Sequence, residues 1–480
     1  MVFSDLFFIF VFLPAFLLCS LIAYGFDRQR IKKGTESPML LRNVVLVLFS
    51  LLFYAWGEPM YVFLMLGSVV VNYFAGLGIE RFKNRKAALT VGLVCNLLIL
   101  GTFKYAGFFA ENLNAIGIPV AVPHIALPIG ISFYTFQSIS YLVDVYRRQA
   151  PVQRRIGDLL LYISMFPQLI AGPIVRYDSV AKQIKERHVT REDFAEGAYR
   201  FFIGLGKKVI LANQLSEISD QFLVDGFKDL STAGSWLGIT AFTFQIFFDF
   251  SGYSDMAIGL GRCMGFRFAE NFKHPYCSKS ISEFWRRWHI SLGSFFRDYV
   301  YIPMGGNRSH QALNIFVVWF LTGMWHGASW NFIIWGLYFG VIVTIEKYTL
   351  MRVKDRIPAV FLHIYSLVLL VIGWGIFYFD KTDQMLQFFR TAFGGGATFY
   401  DFTVGSALTD NFWLWVVCIV MCMPVYDFVS GRFAKLTAGH LTLQRNVALI
   451  TRVAVSVILL LLSVSLLVGA TNNAFIYTRF

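Results

Sequence analysis

The sequence predicts an all-α, polytopic integral membrane protein, and three observations carry that prediction. The chain of 480 residues is 56% hydrophobic and only 15% charged, whereas about 25% of an ordinary soluble domain is charged. Apolar runs long enough to span a bilayer, about 20 residues for a hydrocarbon layer of about 30 Å, recur from end to end, and the mean hydropathy is +0.59. Lysine and arginine gather in some of the polar joins and avoid the others, which is how cytoplasmic loops are marked. We therefore expect one transmembrane domain over residues 1–480, with about eleven spanning helices plus re-entrant and interfacial ones.

The elements follow in order. The opening apolar run has no basic residues before it, and its first positive charges, Arg28 and Arg30, come after it. It reads as a retained span entering from outside rather than a signal peptide. The basic joins at 28–42, 81–86, 147–155, 262–308, 352–356 and 432–445 fall on the cytoplasmic side. The poorer joins at 57–59, 111–124, 225–234 and 380–410 fall on the other, and both termini come out extracytoplasmic. Residues 159–175 are apolar but broken by Pro167 and by Gly172-Pro173, and they lead into a basic segment at 176–191. A full crossing would strand those charges outside, so this reads as a re-entrant or half-buried helix, tolerated where protein or a cavity covers its freed backbone groups. The crossing at 194–223 carries Lys207 and Lys208, which have to snorkel. The long polar join at 261–310 contains WRRWHISL, read as an amphipathic helix on the inner leaflet with tryptophan at headgroup depth. Helical spacing then puts Trp285, Trp288 and His289 on one face.

Several function classes lose support. The net charge of +13 sits in clusters between spans, so it reports topology and not nucleic-acid binding. The six cysteines show neither CxxC pairing nor zinc-type spacing, so they read as packing residues and no metal site is expected. There is no GxxxxGK[ST], HExxH or GxSxG stretch. No internal repeat supports a transporter built on inverted halves.

Two histidines stand out. His326 lies in the middle of FLTGMWHGASWNFIIWG at 320–336, where an ionisable side chain is expensive unless it meets a cavity or a partner. The plain alternative is an imidazole satisfied by a backbone carbonyl or packed on Trp325 and Trp330. The small residues Gly323, Gly327, Ala328 and Ser329 leave room for another group, and Asn331 adds an amide nearby. An imidazole in such a pocket suits general-base work on a hydroxyl, because it changes protonation near neutral pH. His289 shares a segment dense in tryptophan and arginine. Asp249 and Asp255, in the apolar stretch 245–272, call either for a structural cation or for a polar tunnel. An Asp249–His326 proton relay would equally suit a proton-coupled carrier.

The long motifs decide between these classes. WRRWHISLGSFFRDYVYIPMGGNR followed by LTGMWHGASWNFIIWG resembles the membrane-bound O-acyltransferase (MBOAT) family, in particular its bacterial alginate O-acetylation branch. FYAWGEP at 53–59, LPIGISFYTFQSISYLVDVYR at 127–147, FPQLIAGPIVRY at 166–177 and FDFSGYSDMAIGLGR at 248–262 are similar to it in the same order. The resemblance implies a fold with a central tunnel, with the core motifs within 245–345, and an acyltransferase whose catalytic residues are His326 and His289 in the same tunnel. The tunnel or substrate-binding set expected around them is Asp249, Trp285, Arg286, Arg287, Trp288, Trp325 and Asn331. No bound cofactor is expected; the acyl donor expected is acetyl-CoA, whose phosphates suit Arg286, Arg287 or Arg297. The acceptor the resemblance implies is an extracytoplasmic polysaccharide such as alginate, reached directly or through an SGNH-type partner transferase, from the bacterial inner membrane. Peptidoglycan O-acetylation and D-alanylation of teichoic acid are alternatives within the class.

Overall fold

The structure, a computed structural model, describes residues 1–32, 39–396, 398–437, 439–470 and 475. Part of the basic join at 28–42 and most of the last ten residues, assigned above to opposite sides, therefore lie outside the described residues. Among the described residues every regular element is a helix. Seven helices are long and apolar enough to cross a membrane: Phe8–Arg30, Leu40–Gly57, Tyr61–Arg81, Arg85–Ala115, Trp330–Arg356, Ala359–Tyr378 and Thr442–Gly469. The pair Phe402–Asp410 and Phe412–Cys422, bent by 64°, makes eight if it is one span. The multi-pass membrane architecture is as expected; the count of eleven is not reached by this measure. Ile131–Tyr146 and Gln311–His326 explain part of the gap, since each has only 16 residues. Ile131–Tyr146 is buried along most of its length.

The chain divides into two compact units. The first comprises 1–201 and 253–269. Its organising piece is the broken segment expected at 159–175. A helix at Ile156–Ser164 stops at an extended Met165, a single turn follows at Phe166–Leu169, and no helix continues to Val175. The freed backbone groups find partners inside the protein, as a re-entrant segment requires. The Phe166 N–H donates to the Ser50 hydroxyl at 3.1 Å, and the Tyr162 hydroxyl donates to the Val175 carbonyl at 2.9 Å. Phe3, Phe8, Phe12, Phe16 and Phe53 surround the Phe166 ring at centroid distances of 5.2–6.3 Å. Asn72 and Asn96 exchange side-chain hydrogen bonds at 2.8 and 3.1 Å between neighbouring spans, which lets two amides sit fully buried. Of the two roles open to Asp255, the structure gives the structural cation: it pairs with Arg200 at 2.9 Å.

The second unit comprises 202–252 and 270–480. Here Lys208 corrects an expectation. It does not snorkel: its side chain is 5% exposed, and its Nζ lies 2.8 Å from Asp249 Oδ1. A carboxylate on a neighbouring helix offers a shorter route to satisfaction than the distant interface. The segment around WRRWHISL brings a second correction. It is two short helices, Ile281–Arg287 and Ile290–Phe296, separated at His289, whose φ of 45° lies in the left-handed region. One continuous face does not exist there. The tryptophans pack on protein: Trp288 is 3% exposed, and Trp285 makes edge contacts with Trp319, Trp335 and Phe339.

Gln311–His326 and Trp330–Tyr348 form a tight hairpin. A Cβ on Gly323 would run into the Phe332 carbonyl, and one on Gly336 into the Trp319 carbonyl. Only glycine permits backbones this close.

Candidate active site

Each functional side chain is placed by a local constraint. His326 is the last residue of the Gln311–His326 helix, where the chain turns extended at Gly327. The Phe332 ring occupies the space a Gly327 side chain would need. The room opened by the small residues is thus filled by the chain's own next helix, which holds His326 in place. His326 makes edge contacts with Trp335 at 4.9 Å and Phe377 at 5.4 Å. His289 is wedged against Phe250 at 4.7 Å. Trp325 has one imidazole on either side, His289 at 5.7 Å and His326 at 5.0 Å. Both histidines are buried, at 2% and 6% exposure.

The segment bearing His289 is anchored at its start. The Glu346 carboxylate, fully buried, accepts the backbone N–H groups of Ile281 and Ser282, both at 2.7 Å. The Ser280 hydroxyl accepts from the Glu283 N–H at 3.0 Å, an N-cap.

Both imidazoles line one cavity of about 520 Å³. Trp285, Trp288 and Trp319 supply apolar wall, and Arg286, Arg297 and Lys347 supply positive charge. Arg297 is engaged by Asp298 at 2.6 and 3.0 Å, and that hydrogen bonding raises its already high pKa, so it stays charged. Lys347 donates to the Asn307 side-chain oxygen Oδ1 at 3.0 Å, and the Tyr301 hydroxyl donates to the same atom at 2.7 Å. Two imidazoles, an apolar indole wall and three cations suit an uncharged reacting group attached to an anionic carrier.

Of the residues expected from sequence, His289, His326, Trp285, Arg286 and Trp288 line this cavity; Arg287, Trp325, Asn331 and Asp249 do not. Arg287 pairs with Glu283 at 2.6 Å. The Asn331 amide is engaged by the Ser329 hydroxyl and by the Phe377 carbonyl at 3.1 Å. Asp249 holds Lys208. The sequence reading missed Lys347, Asn307, Glu346 and Asn271. Glu346-Lys347 near the end of an apolar run was the available signal, since a buried carboxylate there requires a partner.

The sequence model of the membrane-bound O-acyltransferase family, MBOAT, matches residues 3–381. The probable alginate O-acetylase AlgI of Azotobacter vinelandii is 42% identical, the match covering 82% of this chain and 79% of that protein. The protein of the same description from Pseudomonas syringae pv. tomato is 44% identical, covering 78% of this chain and 72% of its own. The peptidoglycan O-acetyltransferase of Helicobacter pylori is 34% identical, covering 82% and 80%.

Proposed function

The chain belongs to the membrane-bound O-acyltransferase family and is an acyltransferase, and from that premise we propose that it passes an acetyl group from cytoplasmic acetyl-CoA to an extracytoplasmic polysaccharide. The observation that carries the reading is the sharing of one cavity by His289, His326 and three cationic side chains. The alginate O-acetylase relatives support a polymer of the alginate kind, and the Helicobacter pylori relative makes peptidoglycan the second reading.

In this mechanism Arg286, Arg297 and Lys347 attract the phosphates of the donor while its thioester lies between the tryptophans. Neutral His326 takes the proton of the attacking hydroxyl, the oxygen bonds to the thioester carbonyl carbon, and the carbon–sulfur bond breaks. The departing thiolate then recovers the proton from His326. His289 orients a reacting group, a role for which it is better placed than Asn331, whose amide is engaged elsewhere. The attacking hydroxyl belongs to the polymer or to an SGNH-type partner transferase that relays the acetyl group to it. The setting is a bacterial inner membrane with both termini outside, following the distribution of basic joins.

The test uses purified protein in lipid nanodiscs with radiolabelled acetyl-CoA and cell-envelope extract as the source of acceptor and partner. His326→Ala is expected to lower thioester consumption by about 10²–10⁴-fold at matched folding. Equal consumption by the variant, or an inert wild type that instead moves a solute with protons, overturns the reading in favour of a carrier.

A further inference from the structure

Residues 271–273 run alongside 287–290. The Lys273 N–H donates to the Arg287 carbonyl at 2.9 Å, and the Ile290 N–H donates to the Asn271 carbonyl at 3.0 Å. This pairing seats the Asn271 side chain, 1% exposed, directly beside the His289 ring. Its Oδ1 accepts the Ser291 backbone N–H at 3.2 Å and the Ser291 hydroxyl at 2.8 Å, and it lies 3.2 Å from His289 Nδ1.

The chemistry of that oxygen determines the histidine's proton. A backbone N–H can only donate, so Ser291 fixes which end of the Asn271 amide faces the cluster. The Ser291 hydroxyl also lies 3.4 Å from His289 Nδ1, but its single proton goes to Asn271 Oδ1 in the shorter bond of 2.8 Å, so Nδ1 faces two oxygens and donates to Oδ1. A neutral imidazole carries one proton, so Nε2 is left with a lone pair. Nε2 is buried and has no hydrogen-bond partner among the described residues, and His289 lines the cavity. An unfilled acceptor in a buried site costs free energy until a ligand fills it. The left-handed backbone of His289, with φ 45°, is a second local cost borne at the same residue.

We infer that Asn271 is a positioning residue that holds His289 as a hydrogen-bond acceptor, so that His289 receives an N–H or O–H of a bound substrate and does not polarise the thioester carbonyl. This rests on the proposed acyl transfer in the His289–His326 cavity. It narrows the orienting role given to His289 there, because polarising a carbonyl needs a donor on Nε2 and Asn271 has already claimed the ring's only proton.

The experiment is nitrogen NMR on the full-length protein labelled with ¹⁵N-histidine in nanodiscs, alongside thioester consumption. His289→Asn identifies the His289 signals by their loss, and asparagine tolerates the left-handed backbone. Wild type is expected to show a protonated Nδ1 and a bare Nε2. Asn271→Leu is expected to mix the tautomers and lower thioester consumption at least about tenfold. Asn271→Asp, which keeps an oxygen in place, is expected to retain the tautomer and to move the pH profile of consumption upward, since a carboxylate favours the imidazolium. A bare Nδ1 in wild type overturns the inference whether or not any variant folds, as does an unchanged tautomer in Asn271→Leu. A changed tautomer with unchanged consumption would instead remove His289 from the proposed reaction, leaving Asn271 a purely structural partner.

Discussion

The Lys208–Asp249 pair shows what a single residue could and could not disclose in advance. A carboxylate inside an apolar stretch announced that it needed a cation, but nothing in the string said that the cation lay 41 positions earlier, in a lysine that sequence reasoning sent to the interface. Removing one partner strands the other charge in protein, so Asp249→Ala is expected to cost about 3–5 kcal/mol, measured by thermal unfolding in detergent. The double variant Lys208→Met/Asp249→Leu should recover most of that loss. His326 drew attention because its setting of glycine, serine and tryptophan is unusual within an apolar run. Asn271 was not, since a polar residue in a polar join gives no hint of the ring it faces. Gly327 joins the two cases: Gly327→Ala should displace the Phe332 ring, and with it His326, lowering thioester consumption at least about tenfold with the fold retained.

Among elements, those announced by proline and glycine were the readable ones. Pro167 and Gly172-Pro173 foretold the broken helix at 159–175, and the structure supplies the buried partners that such a break requires. The break inside WRRWHISL had no such marker, because a histidine holds the left-handed position that glycine usually signals. The helix Arg191–Gly206 starts with a readable device. Thr190 and Asp193 bond reciprocally, the Thr190 hydroxyl donating at 2.9 Å and accepting the Asp193 N–H at 3.0 Å. The Thr190 hydrogen bond, with help from Arg267, holds the Asp193 carboxyl at about 2, below its ordinary 3.8. A depressed carboxyl stabilises the fold above its unfolded value, and that contribution fades as pH falls from about 4 to about 2. Thr190→Val should flatten this part of the stability-versus-pH curve while leaving stability near neutrality lower than wild type.

For the whole molecule, composition gave the membrane class and the spread of basic joins gave a sidedness that is directly measurable. In a variant with the six native cysteines replaced, Lys83→Cys should react with an impermeant thiol reagent only from the cytoplasmic side. Ile118→Cys, 49% exposed, should react only from the opposite side. The number of spans was less legible because hydropathy counts apolar length, whereas helices such as Ile131–Tyr146 are apolar for the sake of protein neighbours and not lipid. Charge at the cavity should also be felt by the proposed donor: Arg286→Glu is expected to raise the KM for acetyl-CoA by about 10- to 100-fold, and more at low salt, as loss of a charge-assisted contact worth about 1.5–3 kcal/mol implies. The indole wall formed by Trp285, Trp288 and Trp319 has an optical consequence. Ultraviolet emission from indole depends on whether water or a bound molecule stands against it, so the protein carries its own fluorophores for titrating the occupancy of this cavity, with no label attached.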